Sequence, residues 1–152
     1  MKAVIIDMDG TLCDVSSIRY FVNPDHPDFP GFKDWESFHG GAIDCPPNEE
    51  ALTEYRRAKD EGLAILIVTA RMEQWALPTL LWLSENDIEH DALFMRVQND
   101  YRKDYVIKRE ILEEIKEQGY EPVRAVDDNP AVIELWEEEG IETVKIQGWE
   151  EQ

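Results

Sequence analysis

Positive charge is scarce in this chain: its 152 residues carry 15 Lys and Arg against 34 Asp and Glu, a formal net charge of -19 at pH 7. That balance argues against a broad basic face for gripping a nucleic acid backbone. A polyanionic substrate has to be met locally, by a few cations and by metal. Cysteine is nearly absent as well. Cys13 and Cys45 make no disulfide framework and fit an intracellular protein with ordinary thiols. A zinc site built from them with His26 or His39 matches no ligand spacing and is set aside. No apolar run approaches membrane-spanning length, and Met1 leads into a strand without a signal-peptide layout. The expected compartment is the cytoplasm, with no membrane partner.

The length suits one domain, expected to span residues 1–152. Residues 2–7 and 63–69 are too continuously apolar to have a wet face, as in a parallel sheet covered on both sides. Between them Pro47 or Asn48 starts a helix with Ala51, Leu52, Tyr55 and Ala58 at helical spacing, and Gly62 stops it. A second helix after Arg71 carries Leu77, Leu80, Leu81 and Leu83. Residues 92–95 read as a third strand. A helix over about 103–118 follows, with Ile107, Ile111, Leu112 and Ile115 as its core stripe. Residues 122–127 make a fourth strand, and Asn129-Pro130 opens a helix with Val132, Leu135 and Trp136 inward. Gly140 ends that helix before a fifth strand over 143–146. The expected fold is α/β, with a central five-stranded parallel sheet between helical layers. Residues 13–45 break the rhythm with prolines, acids and the aromatics Tyr20, Phe21, Phe29, Phe32, Trp35 and Phe38. A connection this long is usually functional, and we read it as a small cap over the site, with a satellite hydrophobic cluster as the alternative for any single aromatic. The acidic runs 137–139 and 150–151 read as solvated faces.

The chemistry gathers where strands stop. Asp7 and Asp9 follow the first strand one residue apart, and Gly10 lets the loop turn both toward one pocket. Two such carboxylates repel unless a cation lies between them, and Mg²⁺, a hard ion preferring oxygen, is the natural neutraliser. A solvated turn is the plainer alternative. Thr69 and Asp127 also end apolar strands, and in an open parallel sheet those ends share one edge. Asp128 completes a second acidic pair. Thr69 offers a hydroxyl beside backbone N–H groups that can face a phosphate, and Lys103 or Lys108 can offset phosphate charge.

In this order the motifs resemble the haloacid dehalogenase (HAD) superfamily of phosphotransferases: Asp7-Met8-Asp9-Gly10-Thr11, then Thr69, a helical Lys, and Asp127-Asp128. The resemblance implies a HAD-like Rossmannoid three-layer sandwich with a small cap insertion at about 13–45. It implies Asp7 as nucleophile, forming an aspartyl-phosphate, and Asp9 as general acid and base. It implies Mg²⁺ held by Asp7, the Met8 carbonyl, and Asp127 or Asp128 or both. A covalent intermediate divides a difficult displacement into two easier ones, and Mg²⁺ lets an anionic nucleophile approach an anionic phosphate.

Residues 102–111, followed by 125–128 and 132–136, more narrowly resemble the 3'-phosphatase domain of phage polynucleotide kinase-phosphatases. That resemblance selects Lys108 over Lys103, assigns Asp104, Thr69 and Arg71 to the phosphate and substrate site, and makes Arg19 the candidate for an arginine after the first motif. The substrate it implies is a 3'-phosphorylated nucleic acid end or a 3'-nucleotide, as in nucleic acid repair, with a separate kinase or ligase as partner. No Gly-rich P-loop with Lys-Ser/Thr is present, so no 5'-kinase activity is implied. The alternative is a nucleotidase or other small-molecule phosphatase, which the acidic net charge favours. A phospho-accepting receiver module fits less well, because Lys108 precedes the second acidic pair and Asp9 would hasten loss of the phosphoryl group.

Overall fold

A computed structural model describes residues 1–23 and 33–148. His26, Phe29, Phe32, Glu150 and Glu151 lie outside the described residues. Five strands form one sheet: β1 (Lys2–Ile6), β2 (Ala64–Met72), β3 (Ala92–Arg96), β4 (Glu121–Asp127) and β5 (Glu142–Lys145). Their order is β3-β2-β1-β4-β5, and every pairing is parallel. β1 is central, with Ala3 to Ile6 buried, which is why its sequence shows no polar alternation.

Alternation along β1 sends side chains to two cores. Val4 and Ile6 join one with Phe38 and Ala42 of α1 (Trp35–Ala42), Leu52 and Tyr55 of α2 (Glu49–Asp60), and Trp82 and Leu83 of α3 (Ala76–Glu85). Ala3 and Ile5 join the other with Ile107, Ile111, Leu112 and Ile115 of α4 (Asp104–Glu117) and Val132, Leu135 and Trp136 of α5 (Pro130–Glu138). The result is the expected three layers. Local signals set the helix starts. The Asn48 side chain accepts from the Glu50 N–H, and the Asn129 side chain from the Ala131 N–H, with Pro130 at the first position of α5.

Two elements differ from the sequence reading. β2 runs on through Arg71 to Met72, where it pairs with Arg96 after a register shift, so Arg71 sits on a strand end and not in a loop. In α3 only Leu83 of the four leucines lies on the inner face. Leu77 is 79% exposed, with Leu80 and Leu81 also exposed, while Thr79, Trp82 and Leu83 point inward. Polar handles decide this rotation: Thr79 Oγ1 takes a bond from Arg71, and the Trp82 indole N–H donates to the Cys45 carbonyl at 2.8 Å. Counting leucines cannot see either bond.

Leu112→Ala, at a fully buried α4 position, should cost about 2–5 kcal/mol in urea unfolding. Leu77→Ala should change stability by less than about 0.5 kcal/mol. Equal losses at both sites would contradict this orientation of α3.

Candidate active site

The sheet topology delivers the carboxyl ends of β1, β2 and β4 to one edge, and the acidic residues converge there. The Asp7 N–H donates to the Val126 carbonyl, extending the sheet pairing just past β1. Gly10 follows with φ +83°, and a Cβ there would lie 2.3 Å from Asp128 Oδ2, so the loop turns back only because no side chain intervenes. Asp7, Asp127 and Asp128 each offer a carboxylate oxygen, all within 4.8 Å of one another. All three residues are buried.

Lys108 reaches into this cluster from α4. Its ammonium donates to Asp7 Oδ1 at 2.9 Å and to Asp127 Oδ2 at 2.6 Å. The Thr11 hydroxyl lies 2.9 Å from Asp7 Oδ2 and 3.3 Å from Asp128 Oδ1. Asp127 Oδ1 accepts the N–H groups of Asp128 and Asn129, which fixes its carboxylate at the turn into α5. Burial works against the charge of Lys108, but the Asp127 and Asp7 carboxylates outweigh it and keep the amine protonated. Burial, then the Asp127 charge, push the Asp7 carboxyl well above its ordinary value, with Lys108 only partly offsetting them. Three carboxylates against one ammonium leave the cluster short of positive charge. An oxygen-only donor set with that deficit fits a hard divalent cation.

Asp9 is held separately. Arg71 grips it with two bonds, Nε to Oδ2 at 2.9 Å and Nη2 to Oδ1 at 2.6 Å. Burial alone would raise the Asp9 carboxyl, but the guanidinium overcomes it and holds the group below its usual value. Arg71 Nη1 donates to Thr79 Oγ1 at 2.8 Å, which locks the fork in place. The Thr69 hydroxyl accepts the Arg71 backbone N–H at 3.2 Å.

A cleft of about 920 Å³ is lined by Asp7, Asp9, Thr69, Arg71, Asp104, Lys108, Asp127 and Asp128 together. Trp35 and His39 of α1 line it as well, so the 13–45 segment contributes a wall. Burial pushes the His39 imidazole down to about 4, leaving it neutral at physiological pH.

Two sequence candidates sit differently. Arg19 starts a short 3₁₀ turn, Arg19–Val22, and lines a separate cavity of about 310 Å³ with Asp14 and Asn48. The Met8 carbonyl already accepts the Thr11 and Cys13 N–H groups, at 3.1 and 2.9 Å. Those bonds occupy both of its lone pairs, so the geometry gives no support to Met8 as a ligand. Sequence reasoning also missed a residue. Arg96 is buried at the end of β3, where it donates to the Ala70, Asp100 and Arg102 carbonyls and to Asp104 Oδ1. It thereby fixes the loop before α4 and the placement of Asp104. Its signal was available, because it too stands where an apolar strand stops.

The family model of the polynucleotide kinase PNKP phosphatase domain matches residues 32–149. The chain belongs to that family. It is therefore a HAD-type phosphatase domain, as the motif order implies. Among relatives of this PNKP-type domain, a viral protein named as a bifunctional polynucleotide kinase/RNA ligase, from Autographa californica nuclear polyhedrosis virus, is 26% identical over 144 residues. That alignment takes in 94% of this chain and 19% of the viral protein. Chains in two structures of the Pnkp1/Rnl/Hen1 RNA repair complex superpose with TM-scores of 0.77 and 0.75 at 27% and 28% identity. They cover 95% of this chain but 45% and 42% of theirs. The chain thus spans less than half the length of these relatives. The class C acid phosphatase from Bacillus anthracis, with tungstate bound, shares the fold alone, at TM-score 0.62 and 14% identity over 84% of this chain and 52% of that one.

The charge deficit predicts opposite responses in metal-free buffer. Lys108→Met should cost about 3–5 kcal/mol, because it strands buried carboxylates. Asp7→Asn should leave stability unchanged or raise it. With its pKa raised on folding, Asp7 favours the folded state less as pH climbs from about 4 through that raised value, and the amide removes this penalty. Urea unfolding with a chelator present checks both signs, and a large loss in Asp7→Asn would contradict the crowding.

Proposed function

We propose that this domain is a Mg²⁺-dependent phosphomonoesterase that removes 3'-phosphate from nucleic acid ends through an aspartyl-phosphate on Asp7. The observation that carries the reading is the buried cluster of Asp7, Asp127 and Asp128 with the Lys108 ammonium shared between two of its members. Asp7, Asp127 and Asp128 would hold Mg²⁺, which when bound supplies the missing positive charge and screens a carboxylate from an incoming phosphate.

The remaining roles fall to this chain's own groups. Asp7 attacks phosphorus and the bond to the leaving oxygen breaks. Asp9 is an anion while Arg71 grips it; with that grip loosened it takes up a proton from solvent, gives it to the leaving oxygen, then takes one from the water that attacks the aspartyl-phosphate, releasing phosphate and restoring Asp7. The phosphate brings a second anion to Arg71, loosening its grip on Asp9 and aiming its fork at the transferring oxygens. Lys108 stabilises charge on the same group, and Thr69 offers it a hydroxyl. Asp104, paired with Arg96, shapes the substrate side of the cleft. Residues 13–45 act as a small cap on one domain. Arg19 would reach substrate only from the neighbouring cavity.

Family membership and the RNA-repair likeness favour a polynucleotide end as substrate. A separate kinase or ligase would then act on the 3'-hydroxyl product. The net charge of -19 favours a small phosphoester instead, a nucleotidase reading that substrate comparison separates. Turnover should require Mg²⁺ and favour 3'-phosphorylated oligonucleotide over 3'- and 5'-mononucleotide; preference for the 5'-mononucleotide would overturn the assignment. Asp7→Asn and Asp9→Asn should abolish steady-state hydrolysis. Arg71→Ala and Lys108→Ala should each lower kcat/KM on the order of a hundredfold or more.

A further inference from the structure

A ladder of contacts joins Asp9 to the aromatic side chains of the cleft. Asp9 pairs with Arg71, Arg71 donates to Thr79, and the Thr79 hydroxyl donates to the Trp75 carbonyl at 2.8 Å. The Trp75 ring lies 5.3 Å from His39, and His39 stacks on Trp35 at 5.8 Å with planes 22° apart. Trp35 and His39 are one helical turn apart on α1, and Phe38, fully buried, packs edge-on against both. Asp34 caps that helix by accepting the Ser37 N–H, which fixes the turn carrying Trp35. All three outer rings line the active cleft, and Trp35 is 45% exposed.

Direction gives this ladder a meaning. If Asp7 attacks phosphorus in line, the leaving oxygen departs toward the group that protonates it, so the sugar and base lie past Asp9. The contacts from Asp9 end on aromatic side chains lining the same cleft. Burial favours the uncharged form of the His39 ring, which packs against both Trp35 and Trp75. Lys33 and Lys103 line the same cleft, in a chain otherwise strongly acidic.

We infer that Trp35, His39 and Trp75 form a stacking platform for the unpaired base of the nucleotide whose 3'-phosphate is removed. The inference rests on the 3'-phosphatase reading and deepens it, because a base lying flat on this wall cannot stay paired in a duplex. The substrate is then a single-stranded or frayed end, read by its π-face without regard to base identity.

The test compares two 3'-phosphorylated single-stranded oligonucleotides, one with a terminal thymine and one with a stable tetrahydrofuran abasic unit in its place. Wild-type protein should prefer the thymine end. Trp35→Ala should lower kcat/KM for that end roughly tenfold, mainly through KM, and leave the abasic end unchanged. Trp35→Phe should recover most of the loss. Trp75→Ala, on the other side of His39, should act in the same direction. Equal losses on both ends, or none on either, would overturn the platform while leaving the phosphatase reading intact. Hydrolysis of neither end by wild-type protein would remove that reading and the platform with it.

Discussion

The site depends on one buried ammonium. Lys108 joins the carboxylates that end β1 and β4, the strand ends on which the acidic cluster is built. Without it Asp7 and Asp127 would be adjacent buried anions, a state that proteins avoid by protonation or rearrangement. With it the cluster persists but stays short of positive charge, three carboxylates against one ammonium. The arrangement is stable enough to be built and incomplete enough to attract a divalent cation and, behind it, a phosphate.

Arg71 plays the same part on the other side of the cleft, holding Asp9 by a two-bonded fork that Thr79 braces. The two cations therefore separate two carboxylates of the first loop into different electrostatic surroundings. Burial and like charge hold Asp7 toward its neutral form and Arg71 holds Asp9 as an anion, so the proposed roles need a cation to ionise the first and an arriving phosphate to loosen the second. Six of the 15 Lys and Arg line the cleft, Arg71 and Lys108 among them.

Much of this was legible from residue order. The continuous apolar run of β1 could only be a doubly covered strand, and that placed Asp7, Thr69 and Asp127 on one edge before any contact was known. The stripe of Ile107, Ile111, Leu112 and Ile115 likewise fixed the inner face of α4, which points Lys108 at the cluster one turn from its start. What escaped depends on contacts between distant residues. The orientation of α3 is set by bonds from Arg71 and to Cys45, which no periodicity encodes. Arg96 stands where an apolar strand stops, as Asp7 does, but what it does there depends on the carbonyls it gathers. The Met8 carbonyl was expected to face metal, but the tight turn at Gly10 directs two N–H groups onto it. Arg19 lines the second cavity together with Asp14, Val15 and Ser16, which follow the first motif.

The most direct measurement is chemical capture of the acceptor. Protein with Mg²⁺ and a 3'-phosphorylated oligonucleotide is quenched during turnover with borohydride, which reduces an acyl phosphate to an alcohol, and the peptides are read by mass spectrometry. Asp7 should be recovered as homoserine, and only when both metal and substrate were present. Unmodified Asp7 in protein that is turning substrate over, or conversion at another carboxylate, would contradict the account.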